Sequence, residues 1–146
     1  MDSPKIRIVL ASHGEQANGM LNTVQMLLGP QDNIAAHCLY PEQTRDDLTN
    51  RLKSEIEQYG AENILFMTEL MFGSPFNAVN ELTRNHDIYH VSGTNLAMLM
   101  TAVLERENEE ATCEGICKAI MEAVPDSIKD VRKMLAEAAA DDEEDE

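Results

Sequence analysis

Four short apolar runs recur along the chain, and each is followed by a stretch whose apolar residues fall at helical spacing. The runs are Ile6–Ala11, Ile34–Leu39, Asn63–Thr68 and Ile88–Ser92. Apolar and β-branched residues in short bursts, bounded by Gly, Pro or Asn, read as buried strands. Strands alternating with helices imply βαβ units and a parallel sheet covered on both faces. Right-handed crossovers with a reversal of direction after the second strand give the sheet order 2-1-3-4. The expected fold is therefore α/β, a four-stranded parallel sheet with helices on both faces.

The intervening segments carry start and stop signals. Met20, Val24, Leu27 and Leu28 predict a helix from about Glu15 to Leu28, ended by Gly29-Pro30. Thr44 with Asp47 three residues on has the form of a capping box. Leu48, Leu52, Ile56 and Tyr59 line the helix it opens, and Gly60 closes it. Ser74-Pro75 reads as the cap and first residue of a third helix carrying Phe76, Val79 and Leu82. Leu96, Leu99, Met100, Val103 and Leu104 mark a fourth helix, and Cys113–Val124 a fifth. Glu105–Glu110 reads as a connection, and Asp126–Ala140 as a further helix or a short strand around Val131–Leu135.

Composition excludes several classes. A chain of 146 residues supports one domain with a core. Its net charge is −16, and removing the six acids of Asp141–Glu146 still leaves about −10. That surface repels phosphate backbones, so no nucleic-acid partner is expected. No apolar run approaches the roughly 18–20 residues needed to cross a bilayer, and the start Met1-Asp2-Ser3-Pro4 has no signal-peptide pattern. A cytoplasmic location is expected. Cys38, Cys113 and Cys117 form no disulfide framework, and no metal site or cofactor is expected. The tail Asp141–Glu146 is self-repelling and is expected to be disordered.

The predicted sheet reverses between strands one and three, where open α/β sheets place their ligands. Their carboxyl ends carry His13 and Glu69, which should meet although 56 residues apart. A carboxylate beside an imidazole accepts the proton of one ring nitrogen and leaves the other basic. With Glu69 on Nδ1, Nε2 of His13 becomes a nucleophile. Gly14 opens one helix at this crevice and Ser74-Pro75 another, and helix N-termini suit a phosphoryl group. No Walker loop and no Gly-x-Ser-x-Gly turn is present. The combination reads as a phosphocarrier. His37, His86 and His90 have no such setting and read as structural or surface residues.

Ala11-Ser12-His13-Gly14, Met26-Leu27-Leu28-Gly29, Gly73-Ser74-Pro75-Phe76-Asn77 and Ser92-Gly93-Thr94-Asn95-Leu96 resemble the mannose-family enzyme IIA of the bacterial phosphoenolpyruvate–sugar phosphotransferase system. The likeness runs over about Ile6 to Leu135. It implies a IIA domain over residues 1–140, with the tail at 141–146. It implies that His13 takes a phosphoryl group on Nε2 from the phosphocarrier HPr and passes it to a IIB component, which serves the membrane components IIC and IID. Glu69 stands where the family usually has Asp against the active histidine, and Ser74 matches a serine that contacts the phosphoryl group. Gly14 and Gly73 fall to the same site. Many relatives have Gly at Phe72, which makes this loop bulkier here. The resemblance also implies a homodimer exchanging a C-terminal segment, about Asp130–Leu135, that adds an antiparallel strand. Many relatives continue into IIB through an Ala/Pro linker, whereas here an acidic tail follows, so a separate IIB is expected. Two other readings are the phosphotransfer subunit of a dihydroxyacetone kinase, whose loop lacks Ser-Pro-Phe-Asn, and a regulatory module that uses phosphorylation as a signal.

Overall fold

The computed structural model describes residues 3–144. The strands are β1 (Arg7–His13), β2 (Ile34–Leu39), β3 (Ile64–Thr68) and β4 (Tyr89–Val91). The helices are α1 (Gln16–Leu28), α2 (Arg45–Tyr59), α3 (Ser74–Leu82), α4 (Leu96–Glu105), α5 (Cys113–Ala123) and α6 (Val131–Glu144). The sheet is parallel throughout, in the order β2-β1-β3-β4. The expected fold class and strand order are both observed.

Alternation along the central strands splits the core in two. Ile8 and Leu10 of β1 and Leu65 and Met67 of β3 face α1, α4 and α5, meeting Val24, Leu99, Val103, Ile116 and Ile120. Val9 and Ala11 with Ile64 and Phe66 face α2 and α3, meeting Leu48, Leu52, Ile56, Ala78 and Val79. All five residues of β3 are buried, and each large side chain there contributes about 1.5–3 kcal/mol of burial. This rigid centre holds the carboxyl ends of β1 and β3 in fixed relation.

Polar clamps complete the frame. The Thr44 hydroxyl accepts from the Asp47 N–H at 3.2 Å and the Asp47 carboxylate from the Thr44 N–H at 2.9 Å, the predicted capping box. At the other end of the sheet from His13, Arg7 donates from Nε (2.5 Å) and Nη2 (3.1 Å) to Glu55, and His37 donates from Nε2 at 2.9 Å. Burial raises the Glu55 pKa, but the hydrogen bonds from His37 and Arg7 and the Arg7 charge outweigh it and leave it at about 2. Arg106, in the stretch read as a connection, is buried and donates to the carbonyls of Ile6, Asn33 and Asp32. It ties the end of α4 to the start of the sheet.

Two expectations need correction. Gly73, not Ser74, is the N-cap of α3; Ser74 and Pro75 are its first two residues. A cap needs only extended backbone, which Gly73 supplies at φ −72° and ψ 167°. Of the two readings of Asp126–Ala140, a helix or a short strand around Val131–Leu135, the helix is observed within the single chain, as α6. Of the tail expected to be disordered, residues 141–144 continue α6, and residues 145–146 lie outside the described residues. Every residue of α6 is exposed, so local propensity alone decides there, and Met134, Leu135, Ala136 and Ala138–Ala140 are strong helix formers.

Candidate functional site

β1 and β3 pair directly, with Ala11 opposite Thr68. His13 follows Ala11 by two residues and Glu69 follows Thr68 by one, so both emerge at the same end of the sheet where the order reverses. One carboxylate oxygen of Glu69, Oε1, accepts from both the backbone N–H and Nδ1 of His13. A carboxylate only accepts, so Nδ1 carries a proton and Nε2 of the neutral ring carries the lone pair. The side chain of His13 is 47% exposed and that of Glu69 only 16%. The acid is sheltered and the ring is open to a partner.

Gly14 turns the chain out of β1 at φ +53°, a left-handed conformation that favours glycine. Its N–H donates to the Leu39 carbonyl at 2.8 Å, so its contribution is the turn rather than a free donor. The Ser12 hydroxyl accepts from the Ala17 N–H at 2.8 Å and closes the first turn of α1. At the rim the Tyr40 hydroxyl donates to Glu15. That bond lowers the Glu15 pKa, helped by a second from Asn18, and raises that of Tyr40 to about 12.

Gly73 lies against the Cε1 edge of the imidazole. A Cβ at this position would lie 2.8 Å from His13 Cε1, 3.2 Å from the Leu70 carbonyl oxygen and 3.7 Å from His13 Nε2. Only glycine lets the start of α3 approach the Cε1–Nε2 edge of the ring. No side chain caps α3, so Ser74 sits half-buried in a first turn whose N–H groups have no side-chain acceptor. The two imidazole nitrogens thus have opposite surroundings, a carboxylate at Nδ1 and a helix N-terminus by Nε2.

The loop between β3 and α3 has its own supports. Phe72 adopts φ +66°, its ring meets Phe76 edge-on at 5.5 Å, and its carbonyl accepts from Asn77 Nδ2 at 3.1 Å. Leu70, Met71 and Phe72 are 60%, 58% and 75% exposed beside His13. Thr94 donates from its N–H and its hydroxyl to the Thr68 carbonyl. Asn77, Thr94 and the capping role of Ser12 were not singled out from sequence. Asn77 stood within a quoted motif, but its acceptor is known only once the loop is folded. His37 and His86 lie away from this cluster, His37 on Glu55 and His86 in a bend before β4. Among the described residues no group of three or more His, Cys, Asp or Glu is placed to hold a metal ion. No helix of the described residues is long and apolar enough to cross a membrane.

A model of the EIIA-man family, described as the PTS system fructose IIA component, matches residues 7–121. The chain belongs to this family. The matched EIIA-man region includes His13, Glu69, Gly73 and Ser74 and leaves α6 outside. Over 106 residues, 71% of the chain, it is 29% identical to the mannose-specific EIIAB component of the phosphotransferase system of Escherichia coli K12 and spans a third of that protein's length. It is 28% identical over 104 residues to the sorbose-specific EIIA component of Lacticaseibacillus casei, covering 70% of this chain and 75% of that one. The crystal structure of the phosphotransferase system component EIIA from Streptococcus agalactiae superposes with a TM-score of 0.80 at 27% identity, covering 88% of this chain and 98% of that one.

Proposed function

We propose that the protein is a phosphohistidine carrier of the sugar phosphotransferase system, with His13 as the phosphoryl acceptor. The lone pair of Nε2 attacks the phosphorus of a phosphohistidine on HPr. The new Nε2–P bond forms as the donor's N–P bond breaks, and the donor imidazole recovers its lone pair. Glu69 keeps the proton on Nδ1 and stabilises the positive charge that the ring develops. Ser74 and the first turn of α3 face the incoming oxygens, and their N–H groups and helix dipole favour the negative charge. Gly73 and Gly14 give the close approach and the turn this requires. Transfer onward to a histidine of a IIB component reverses the same step.

The observation that carries this reading is the asymmetry of the His13 ring, with Nδ1 on a sheltered carboxylate and Nε2 by a glycine-lined helix start. Leu70, Met71 and Phe72 around a half-exposed ring support docking of a protein rather than closure over a small molecule. IIC and IID would be served indirectly, through IIB, from the cytoplasmic side of the membrane. A homodimer is supported by Ile128, Val131, Met134 and Leu135, apolar side chains 75%, 55%, 43% and 60% exposed at the C-terminal end. The Gly-Ser-Pro-Phe-Asn turn favours a IIB acceptor over a dihydroxyacetone kinase subunit.

The test is phosphorylation in a defined mixture. With phosphoenolpyruvate, enzyme I and HPr, the intact mass should rise by one acid-labile phosphoryl group, and His13→Ala should abolish the gain. An unchanged wild-type mass with competent donors refutes the proposal.

A further inference from the structure

One imidazole outside the His13–Glu69 pair touches both ends of the loop that carries the site. His90 of β4 lies opposite Phe66, on the sheet face covered by α3. Its Nε2 is 2.7 Å from the Thr68 hydroxyl oxygen, and Thr68 is fully buried immediately before Glu69. On the other side, its ring centroid is 5.1 Å from that of Phe76, inclined at 43°. Phe76 sits in the first turn of α3 and in turn supports Phe72. The five residues Glu69–Gly73, which contain both the carboxylate on Nδ1 and the glycine against the ring, are thus bracketed by two contacts to a single side chain.

We infer that His90 is a positioning residue, which holds Glu69 and Gly73 in register with His13 by fixing Thr68 through a hydrogen bond and Phe76 through ring contact. This rests on the carrier reading above. The chemistry suits the role. Burial pushes the His90 pKa down to about 4, so the ring is neutral at ordinary pH and brings no charge beside the phosphoryl group. A neutral imidazole can donate to or accept from the Thr68 hydroxyl, and either arrangement pins that side chain. Thr68 has its carbonyl held by Thr94, so the His90 bond fixes the remaining freedom of its hydroxyl end. Beyond Thr68 the loop's own bonds, from the Gly73 N–H to the Leu70 carbonyl and from Asn77 Nδ2 to the Phe72 carbonyl, tie its later residues rather than Glu69. A loosened anchor would therefore appear as displacement of Glu69 from Nδ1. Displacement of catalytic groups by about 1 Å lowers rates by up to about a hundredfold without altering the docking surface.

The variants are His90→Phe, which keeps a ring against Phe76 but loses the bond, Thr68→Val, which removes the hydroxyl at similar size, and the two combined. Two readouts are taken on the full chain: the phosphoryl-transfer rate at saturating phospho-HPr with its half-saturation concentration, and the ring ¹⁵N shifts of His13 without any donor. Thermal melting checks that each variant is folded. Each single variant should lower the saturating rate about tenfold with an unchanged half-saturation concentration. The double variant should lose no more than either alone, and His13 should move from the Nδ1–H form toward a mixture of tautomers. His90→Gln, whose amide can reach the hydroxyl, should restore part of the rate. Additive losses, a change only in half-saturation, or a saturating rate and tautomer within about twofold of wild type overturn the inference. If wild type takes up no phosphoryl group, the carrier reading fails, and the ¹⁵N shifts alone then decide whether His90 positions His13.

Discussion

Replacing Gly73 by Ala isolates the contact on which the site geometry depends. The backbone at Gly73, φ −72° and ψ 167°, is ordinary for alanine, so the substitution introduces no backbone strain. The added methyl would lie 2.8 Å from Cε1 of His13 and 3.2 Å from the Leu70 carbonyl oxygen. Carbon atoms in ordinary contact stand about 3.5–4.0 Å apart, so the ring or the start of α3 must yield by roughly 0.7–1.2 Å. A displacement of that size between reacting groups costs up to about a hundredfold in rate, equivalent to ~2.7 kcal/mol on the barrier. Because the site is at the surface, folding stability should change by less than about 1 kcal/mol. The assay is single-turnover transfer from phospho-HPr to His13 with denaturant unfolding run in parallel. A Gly73→Ala protein that transfers at the wild-type rate would refute the claim that α3 must approach the ring this closely.

Other substitutions separate strain, charge and burial. Gly14→Ala meets no atom within 4 Å but must hold φ +53°, so urea unfolding should show a loss of about 1 kcal/mol from strain alone. The folded pKa of Glu55, about 2, lies below its usual 4.5, so its stabilisation is complete above about pH 4.5 and is lost as pH falls toward 2. Acid unfolding of Glu55→Gln should be correspondingly flatter over that window, with the variant weaker at pH 7 by up to about 3 kcal/mol. Arg106→Met takes the guanidinium from the carbonyls of Ile6, Asn33 and Asp32, of which Asn33 keeps the Ile8 N–H at 3.1 Å, and its unfolding midpoint should drop by the equivalent of about 2 kcal/mol. A midpoint within 1 kcal/mol of wild type (roughly the scatter of neutral surface changes) would contradict the clamp.

The parts of the fold that follow from local pattern were legible beforehand. Apolar runs with turn residues between them gave the four strands, and the handedness of crossovers gave their order. That order alone brought His13 to Glu69. The Thr44–Asp47 box was readable because both partners sit within one helical turn. Features set by close approach were not. Ser74 has the better capping chemistry, yet the extended residue before α3 is Gly73, and nothing in the local pattern shows that a Cβ there would meet the His13 ring. His90 and Thr68 lie on different strands, and nothing in either segment announces the pair until the register of Phe66 with His90 is known. Arg106 was hidden in an acidic stretch, where a surface position is the usual reading. Acid density argued for a disordered tail, whereas the alanines and leucine of α6 favour helix and meet no competing contact.

The central claim is that Glu69 holds the proton on Nδ1 of His13 and leaves Nε2 to take the phosphoryl group. Phosphorylated protein labelled at the histidine nitrogens distinguishes the two sites by phosphorus–nitrogen coupling. The account predicts coupling to Nε2 of His13, with Nδ1 still protonated. A phosphoryl group on Nδ1, or on any other histidine, would contradict it.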